Sequence, residues 1–214
     1  MSEWGPSFRS EYLKVARFAK EVNAQRVLCL TATATPSVVN DICAKENGFD
    51  IDVEHGVLKT GNYRPNLALQ IRPCANYGAK LAALTPFLKA RGRGGAIVYV
   101  TTHHESEDVA AALKKSGIDC KHYHAGMKSD ERKATQDWFI SSEGVVVATI
   151  AFGMGIDHAS IRQVTHFTVP KTLENYSWVD FGASTYRPRA DSLFRSQEVG
   201  RAGRDGLPAT CLML

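Results

Sequence analysis

Several features that define common protein classes are absent from this chain of 214 residues. It has no run of 18 apolar residues, so the sequence predicts no membrane span. Its N-terminus has neither a basic region nor an apolar stretch, which argues against a secretory signal. Its five cysteines lie far apart and form no CxxC pair. A disulfide framework or a zinc site is therefore not expected, and a reducing compartment fits best.

The charge excess is small. The chain has 26 Lys and Arg against 22 Asp and Glu, which gives a net charge of +4. This mild basic bias permits a nucleic-acid partner without requiring one. With 44% hydrophobic and 22% charged residues, the composition is close to that of an average globular chain. Wholesale disorder and a coiled-coil rod are both disfavoured.

Short apolar runs alternate with amphipathic stretches along the chain. Buried strands are predicted at residues 27–30, 96–100, 145–149 and 164–169, and weaker strands at 67–71 and 119–123. Helices are predicted at residues 11–22, 36–45, 79–90, 105–115 and 129–139, with Thr35 and Ser129 as N-caps. Residues 49–76 have poor periodicity and are broken by two prolines, so they predict a connection. The pattern favours a parallel sheet with both faces covered.

Threonines and glycines follow the predicted strands. In open parallel sheets, ligands bind beyond the carboxyl ends of the strands. Residues 31–33, 101–102 and 149–157 occupy such positions, and their small side chains let an anionic ligand approach closely. For any one of these segments, an ordinary loop without a ligand stays open as the alternative, because threonine and glycine are also common in such loops.

The sharpest motif lies at residues 197–206, where Arg201 and Arg204 are three apart and three glycines surround them. Two guanidiniums on one side of a helical turn could neutralise the charge of a transferring phosphoryl group. The alternative is a basic loop that binds only water or a surface carboxylate.

Five segments together resemble a RecQ-type DNA helicase of superfamily 2. Residues 148–157 resemble motif V of that family, residues 197–206 motif VI, and residues 31–33 motif III. Residues 123–126 resemble the DNA-facing turn after motif IV, and residues 2–9 resemble the aromatic-rich loop after motif II. DEAD-box RNA helicases share the general layout, but their motif VI differs and they lack the aromatic-rich loop.

The resemblance implies an α/β fold, in which a RecA-like parallel sheet with helices on both faces forms the second helicase lobe. Residues 1–62 would end the first lobe, residues 63–76 would connect the lobes, and residues 77–214 would form the second lobe. ATP with Mg²⁺ would bind between the lobes and drive 3′-to-5′ movement on single-stranded or forked DNA, in repair and recombination. The expected location is the nucleus in a eukaryote and the cytoplasm otherwise.

The resemblance also implies roles for particular residues. Arg204 and Arg201 would reach the γ-phosphate with support from Gln197, and Gly155 and Asp157 would lie near the nucleotide. Contacts to DNA, or coupling of DNA to hydrolysis, are expected at Trp4, Phe8, Arg9, Thr31, Thr33, His124 and Thr149. A packing role for Trp4 remains an alternative. No metal site is predicted at the histidines, because no cysteine or acidic residue has ligand spacing to them.

Two departures from the family matter. The 214 residues contain neither a G-x-x-x-x-G-K-[ST] loop nor an acidic Walker B box, so we expect no ATP hydrolysis by this chain alone. Residues 178–196 interrupt the approach to motif VI, either as a retained intron or as a lineage-specific loop. Such a loop could leave the two arginines in place or displace them.

The chain is therefore expected to be a segment of a larger helicase. Two alternatives stay open: a non-catalytic lobe that binds nucleic acid or a partner, and a gene fragment whose first 76 residues lack the rest of their sheet. In the second case an unpaired strand at residues 27–30 would favour aggregation.

Overall fold

A computed structural model describes residues 14–30, 36–46, 48–58, 64–152, 158–168 and 198–214. The chain divides into two compact units, an N-terminal unit over Met1–Asn62 and a C-terminal unit over Tyr63–Leu214. The proposed insertion at residues 178–196 lies outside the described residues. No helix in the described ranges is both long enough and apolar enough to cross a membrane.

The described residues of the N-terminal unit include two α-helices, α1 (Val15–Glu21) and α2 (Pro36–Cys43). Helix α2 begins at Pro36 as predicted, because the fixed φ of proline suits the first helical position. The strand predicted at residues 27–30 is wrong, since this segment forms no strand and Leu28 and Leu30 are 81% and 83% exposed. No neighbouring strand in the described part of this unit offers its backbone a pairing partner.

The C-terminal unit is built on one sheet of six parallel strands. In spatial order they are β1, β6, β5, β2, β4 and β3. Their bounds are β1 Leu67–Ile71, β2 Gly95–Tyr99, β3 Cys120–Tyr123, β4 Val145–Ala148, β5 Ile161–His166 and β6 Ala209–Met213. The four central strands are almost entirely buried, in agreement with the continuous apolar runs that predicted β2 and β4.

In the described part of this unit, three α-helices connect the strands: α3 (Tyr77–Lys89), α4 (His103–Lys115) and α5 (Ser129–Ser141). Asn76 caps α3 by accepting a hydrogen bond from the Ala79 amide at 2.9 Å, and Thr102 caps α4 in the same way at 3.1 Å. The N-cap of α5 is Lys128 rather than the predicted Ser129, which is the first helical residue.

The sheet is covered on both faces. Helices α3 and α4 pack on one face, where Leu84, Leu88 and Leu113 are fully buried against Val98 and Val147. On the opposite face, α5 and the segment that follows residue 198 cover the alternate residues of the strands. The predicted fold class is confirmed: this is a parallel α/β sheet with helices on both faces.

Two strands differ from the sequence prediction. Strand β6 was not predicted, and β5 begins at Ile161 rather than at residue 164. The weaker strand predicted at residues 67–71 is confirmed as edge strand β1, which pairs with β6, and it lies inside the range predicted to connect the lobes. Strand β6 gains its order from pairing, which local sequence does not encode. The assignment of the two units to two helicase lobes stays a prediction.

Candidate functional site

The carboxyl ends of the strands meet at one edge of the sheet, and Glu105 joins two of them. Its carboxylate accepts hydrogen bonds from the Thr101 amide at 3.0 Å and from the Thr168 hydroxyl at 2.6 Å. Thr101 follows β2 and Thr168 follows β5, so one side chain in the first turn of α4 ties together the loops after both strands. A carboxylate in this turn is also stabilised by the helix dipole.

The segment that carries the two arginines forms a short 3₁₀ helix at Val199–Arg201. Val199 and Ala202 are buried in the core, and the Gly203 amide donates to the Ile161 carbonyl at 2.8 Å. Gly203 has a φ of +54°, and a Cβ there would lie 2.6 Å from the Leu207 carbonyl oxygen. Only glycine fits this tight left-handed position, so the glycine spacing of the motif has a structural cause.

Two side chains that precede β1 hold this segment in place. The Arg64 guanidinium donates to the carbonyls of Gly200 at 3.2 Å and Ala202 at 2.8 Å, and it also bonds the Gly203 carbonyl. The Asn66 amide donates to the Gly203 carbonyl at 2.8 Å. The sequence suggested only a break in periodicity at residues 64–66, because side-chain bonds that span more than 130 positions leave no local signal.

Arg201 lies close to Tyr99, the last residue of β2. The positive charge of Arg201 acts on the buried Tyr99 hydroxyl, which donates to the Phe152 carbonyl at 3.3 Å. Its ring stacks on His166 at a centroid distance of 5.5 Å. Burial raises the pKa of the Tyr99 hydroxyl above its ordinary value, which keeps it neutral and able to donate.

A buried acid–imidazole pair completes this network. His166 Nε2 lies 2.6 Å from a Glu198 carboxylate oxygen, and both side chains are almost fully buried. Glu198 immediately precedes the 3₁₀ helix, so the pair fixes the start of the arginine segment against the end of β5. None of Tyr99, His166 and Glu198 was a sequence candidate, although Glu198 lies inside the recognised motif.

Arg204 lies in a more open position than Arg201. It is exposed, and its Nε donates to the Gly200 carbonyl at 3.4 Å. The next residue, Asp205, forms a two-pronged ion pair with Arg162 on β5. Hydrogen bonding from Arg162 lowers the pKa of the Asp205 carboxyl group. The chain beside Arg204 is thus fixed at Asp205, while the Arg204 side chain reaches solvent.

Two further sequence candidates are described, and both have buried side chains. Thr149 follows β4, and its amide donates to the Tyr123 carbonyl at 3.2 Å. His124 follows β3, and its Nε2 lies 3.1 Å from a Glu107 carboxylate oxygen. Their roles in DNA binding stay predictions. The candidates that lie outside the described residues are Trp4, Phe8, Arg9, Thr31, Thr33, Gly155, Asp157 and Gln197.

The sheet is all parallel, and the segment with the two arginines and their glycines lies at one face of it. This arrangement is expected of a RecA-like helicase lobe. Two solved structures share the fold. The E. coli DEAD-box protein SrmB aligns with a TM-score of 0.54 and 22% identity, over 69% of this chain and 75% of that chain. The C-terminal domain of the DEAD-box protein Dbp5 aligns with a TM-score of 0.52 and 21% identity, over 71% and 77%.

Residues 79–206 match the family model described as helicase conserved C-terminal domain. The ATP-dependent DNA helicase RecQ of Bacillus subtilis is 35% identical over 100% of this chain and 32% of its own length. The mouse bifunctional 3′-5′ exonuclease/ATP-dependent helicase WRN is 37% identical over 100% of this chain and 14% of its own length.

The chain therefore belongs to the helicase conserved C-terminal domain family, and the predicted resemblance to RecQ-type helicases is confirmed. It spans about a third or less of the length of these two relatives.

Proposed function

We propose that this chain is part of an ATP-dependent 3′-5′ DNA helicase of the RecQ type and supplies the arginine side of its ATP site. The observation that carries the proposal is the pair of arginines on one rigid segment. Arg201 lies close to buried Tyr99, and Arg204 is exposed four residues after Gly200, whose carbonyl is bound by Arg64. Family membership and similarity to RecQ-type relatives support the same reaction.

In this proposal Arg204 donates to the γ-phosphate and neutralises charge that develops as the phosphoryl group leaves. Such a donor accelerates phosphoryl transfer by about 10³ to 10⁵. Arg201, close to buried Tyr99, adds positive potential behind Arg204. Gln197, Gly155 and Asp157 would support the nucleotide from the same lobe.

The donors described here fit the anionic end of ATP, since they are guanidinium groups on a glycine-bounded turn. Mg²⁺, when bound with ATP, neutralises phosphate charge. Its usual protein ligands in this reaction are the P-loop hydroxyl and the Walker B carboxylate, and these 214 residues contain neither motif. We therefore propose that the chain contributes the arginines and that another part of the helicase holds the metal.

The proposed partner is single-stranded or forked DNA. Trp4, Phe8 and Arg9 would contact bases and backbone, and Thr31 and Thr33 would couple the DNA contacts to the phosphate state. Stacking of one base on an aromatic side chain contributes about 1–3 kcal/mol. Action in repair and recombination, and location in the nucleus of a eukaryote or the cytoplasm of a prokaryote, belong to the same proposal.

A lobe exchange tests this function. Residues 64–214 would replace the matching lobe of the Bacillus subtilis RecQ relative, and DNA-stimulated ATP hydrolysis would be measured. We expect hydrolysis in the chimera and a loss of about 10³-fold with Arg204→Ala, because the γ-phosphate loses its donor. Arg93→Ala, at an exposed arginine in the loop before β2, is the matched control and should leave the rate unchanged. An inactive chimera, or an Arg204→Ala chimera of full activity, contradicts the proposal.

A second candidate is a lobe that binds nucleic acid without catalysis. The net charge of +4 and the missing phosphate-binding loop favour it for the chain by itself. The isolated chain would then bind single-stranded DNA with an affinity that falls as salt rises, and the chimera would not hydrolyse ATP. The two candidates are thus separated by the same ATPase measurement.

A further inference from the structure

Three potential metal ligands lie together at the end of β3, away from the arginine segment. His122 and His124 are two residues apart on an extended chain, so their side chains project to the same side of the sheet. This is the side covered by α4, because Cys120 two residues earlier packs against α4 and its Sγ donates to the Ala110 carbonyl. Helix α4 brings Glu107 to the two imidazoles.

Local sequence does not reveal this group, because Glu107 is fifteen residues before His122. In the fold, one ligand atom from each of Glu107, His122 and His124 lies within 4.8 Å of the other two. His124 Nε2 lies 3.1 Å from Glu107 Oε1. Ligands around a tetrahedral Zn²⁺ ion are about 3.3 Å apart, so a small rotation of exposed Glu107 suffices to close the site.

His124 is the most buried of the three ligands. Its side chain is 9% exposed, and its Nε2 is the atom that faces Glu107. Its ring stacks between His103 at 4.4 Å and His122 at 5.6 Å, measured between ring centroids. The two neighbouring rings therefore hold the His124 imidazole in place.

The donor set selects the kind of ion. Two imidazoles and one carboxylate suit Zn²⁺ and related transition metals, whereas Mg²⁺ and Ca²⁺ prefer oxygen ligands alone. Three protein ligands leave at least one coordination position for water. Glu107 is exposed and His122 is half-buried, so an ion can reach the site from solvent.

We propose that Glu107, His122 and His124 form a binding site for one divalent transition-metal ion of the Zn²⁺ class. The ion ties helix α4 to the end of β3 and thereby fixes the turn that follows His124. This turn closes through a hydrogen bond from the Met127 amide to the His124 carbonyl at 3.2 Å. The site does not depend on the proposed ATPase function, because none of its ligands touches the arginine segment.

Titration of the metal-free 214-residue chain with Zn²⁺, followed by calorimetry, tests the site. We expect about one equivalent to bind, and Glu107→Gln and His122→Asn each to weaken binding by at least about tenfold. Zn²⁺ should also raise the Tm of the unaltered chain and leave the Tm of both variants unchanged. Mg²⁺ at the same concentration should not bind.

The matched control is His104→Ala. His104 lies on the same helix and pairs with Asp108 at 3.4 Å, but this exposed pair has no third ligand in the described structure. This variant should bind Zn²⁺ as the unaltered chain does, and so should Cys29→Ser, which removes the exposed thiol. Absence of saturable Zn²⁺ binding, or equal affinity in the Glu107 and His122 variants and in the His104 control, overturns the proposal. Glu107→Gln preserves shape at an exposed position, so misfolding does not obscure its result.

Discussion

At the scale of single residues, Arg64 is the described side chain that makes several hydrogen bonds to the backbone of the arginine segment. One guanidinium satisfies three carbonyls, those of Gly200, Ala202 and Gly203. Its planar array of donors allows this, whereas the compact ammonium of lysine cannot span three acceptors. The segment that carries Arg201 and Arg204 therefore takes its position from a residue more than 130 places earlier in the chain.

Replacement of Arg64 by lysine should distinguish the effect of its positive charge from the effect of its hydrogen-bond geometry. Arg64→Lys keeps the positive charge but loses at least one of the carbonyl bonds, so we expect a loss of about 1–3 kcal/mol in the free energy of unfolding. Urea denaturation of the whole chain gives this value. Arg93→Lys, at an exposed position, should change stability by less than about 0.5 kcal/mol. Equal effects of the two substitutions would show that the carbonyl bonds contribute nothing.

At the scale of elements, packing against the sheet determines which face of α5 is buried. Phe139 is fully buried, and its ring meets Phe152 at a centroid distance of 5.4 Å in an edge-to-face arrangement. A Cβ at Gly95, the first residue of β2, would lie 3.0 Å from the Phe139 ring, so the glycine makes room for the aromatic side chain. The next residue of the helix, Ile140, is 51% exposed.

The two neighbouring positions should therefore respond very differently to truncation. Phe139→Ala leaves a cavity between α5 and the sheet, and we expect a loss of about 3–5 kcal/mol in the free energy of unfolding. Ile140→Ala removes a half-exposed side chain and should cost less than about 1 kcal/mol. Thermal or urea denaturation of both variants checks the orientation of the helix. Comparable losses at the two positions would mean that α5 packs with another face.

At the scale of the whole molecule, the boundary of the C-terminal unit lies before β1. The Ala209 amide donates to the Asn66 carbonyl at 2.9 Å, and the Arg72 amide donates to the Met213 carbonyl at 2.8 Å. These bonds join the start of the unit to the end of the chain. The expected connection at residues 63–76 thus contains an integral strand of the sheet.

Limited proteolysis and truncation test this boundary. We expect the N-terminus of the resistant core to lie before Leu67, and residues 64–214 to unfold at a higher temperature than residues 77–214. The shorter fragment loses β1 and leaves the backbone of β6 unpaired, which removes the Arg64 and Asn66 contacts as well. A resistant core that begins at residue 77, or equal melting temperatures, would place β1 outside the folding unit.

The amino-acid sequence by itself was enough to predict those strands and helices whose residue pattern is local. The continuous apolar runs of β2 and β4 and the periodicity of α3, α4 and α5 gave the α/β class, because burial on both faces demands those patterns. The motif with Arg201 and Arg204 indicated the family resemblance together with four further segments. Each of these signals lies within about twenty residues, so no knowledge of the fold was needed to detect it.

Only the tertiary structure decided which distant residues act together. The pairing of β1 with β6, the Arg64 bonds, the approach of Arg201 to Tyr99 and the approach of Glu107 to His122 all join segments that are far apart or have weak patterns of their own. Their partners are chosen by strand order and helix packing, and that choice minimises unpaired backbone and buried charge over the whole domain. No window of local sequence contains this information.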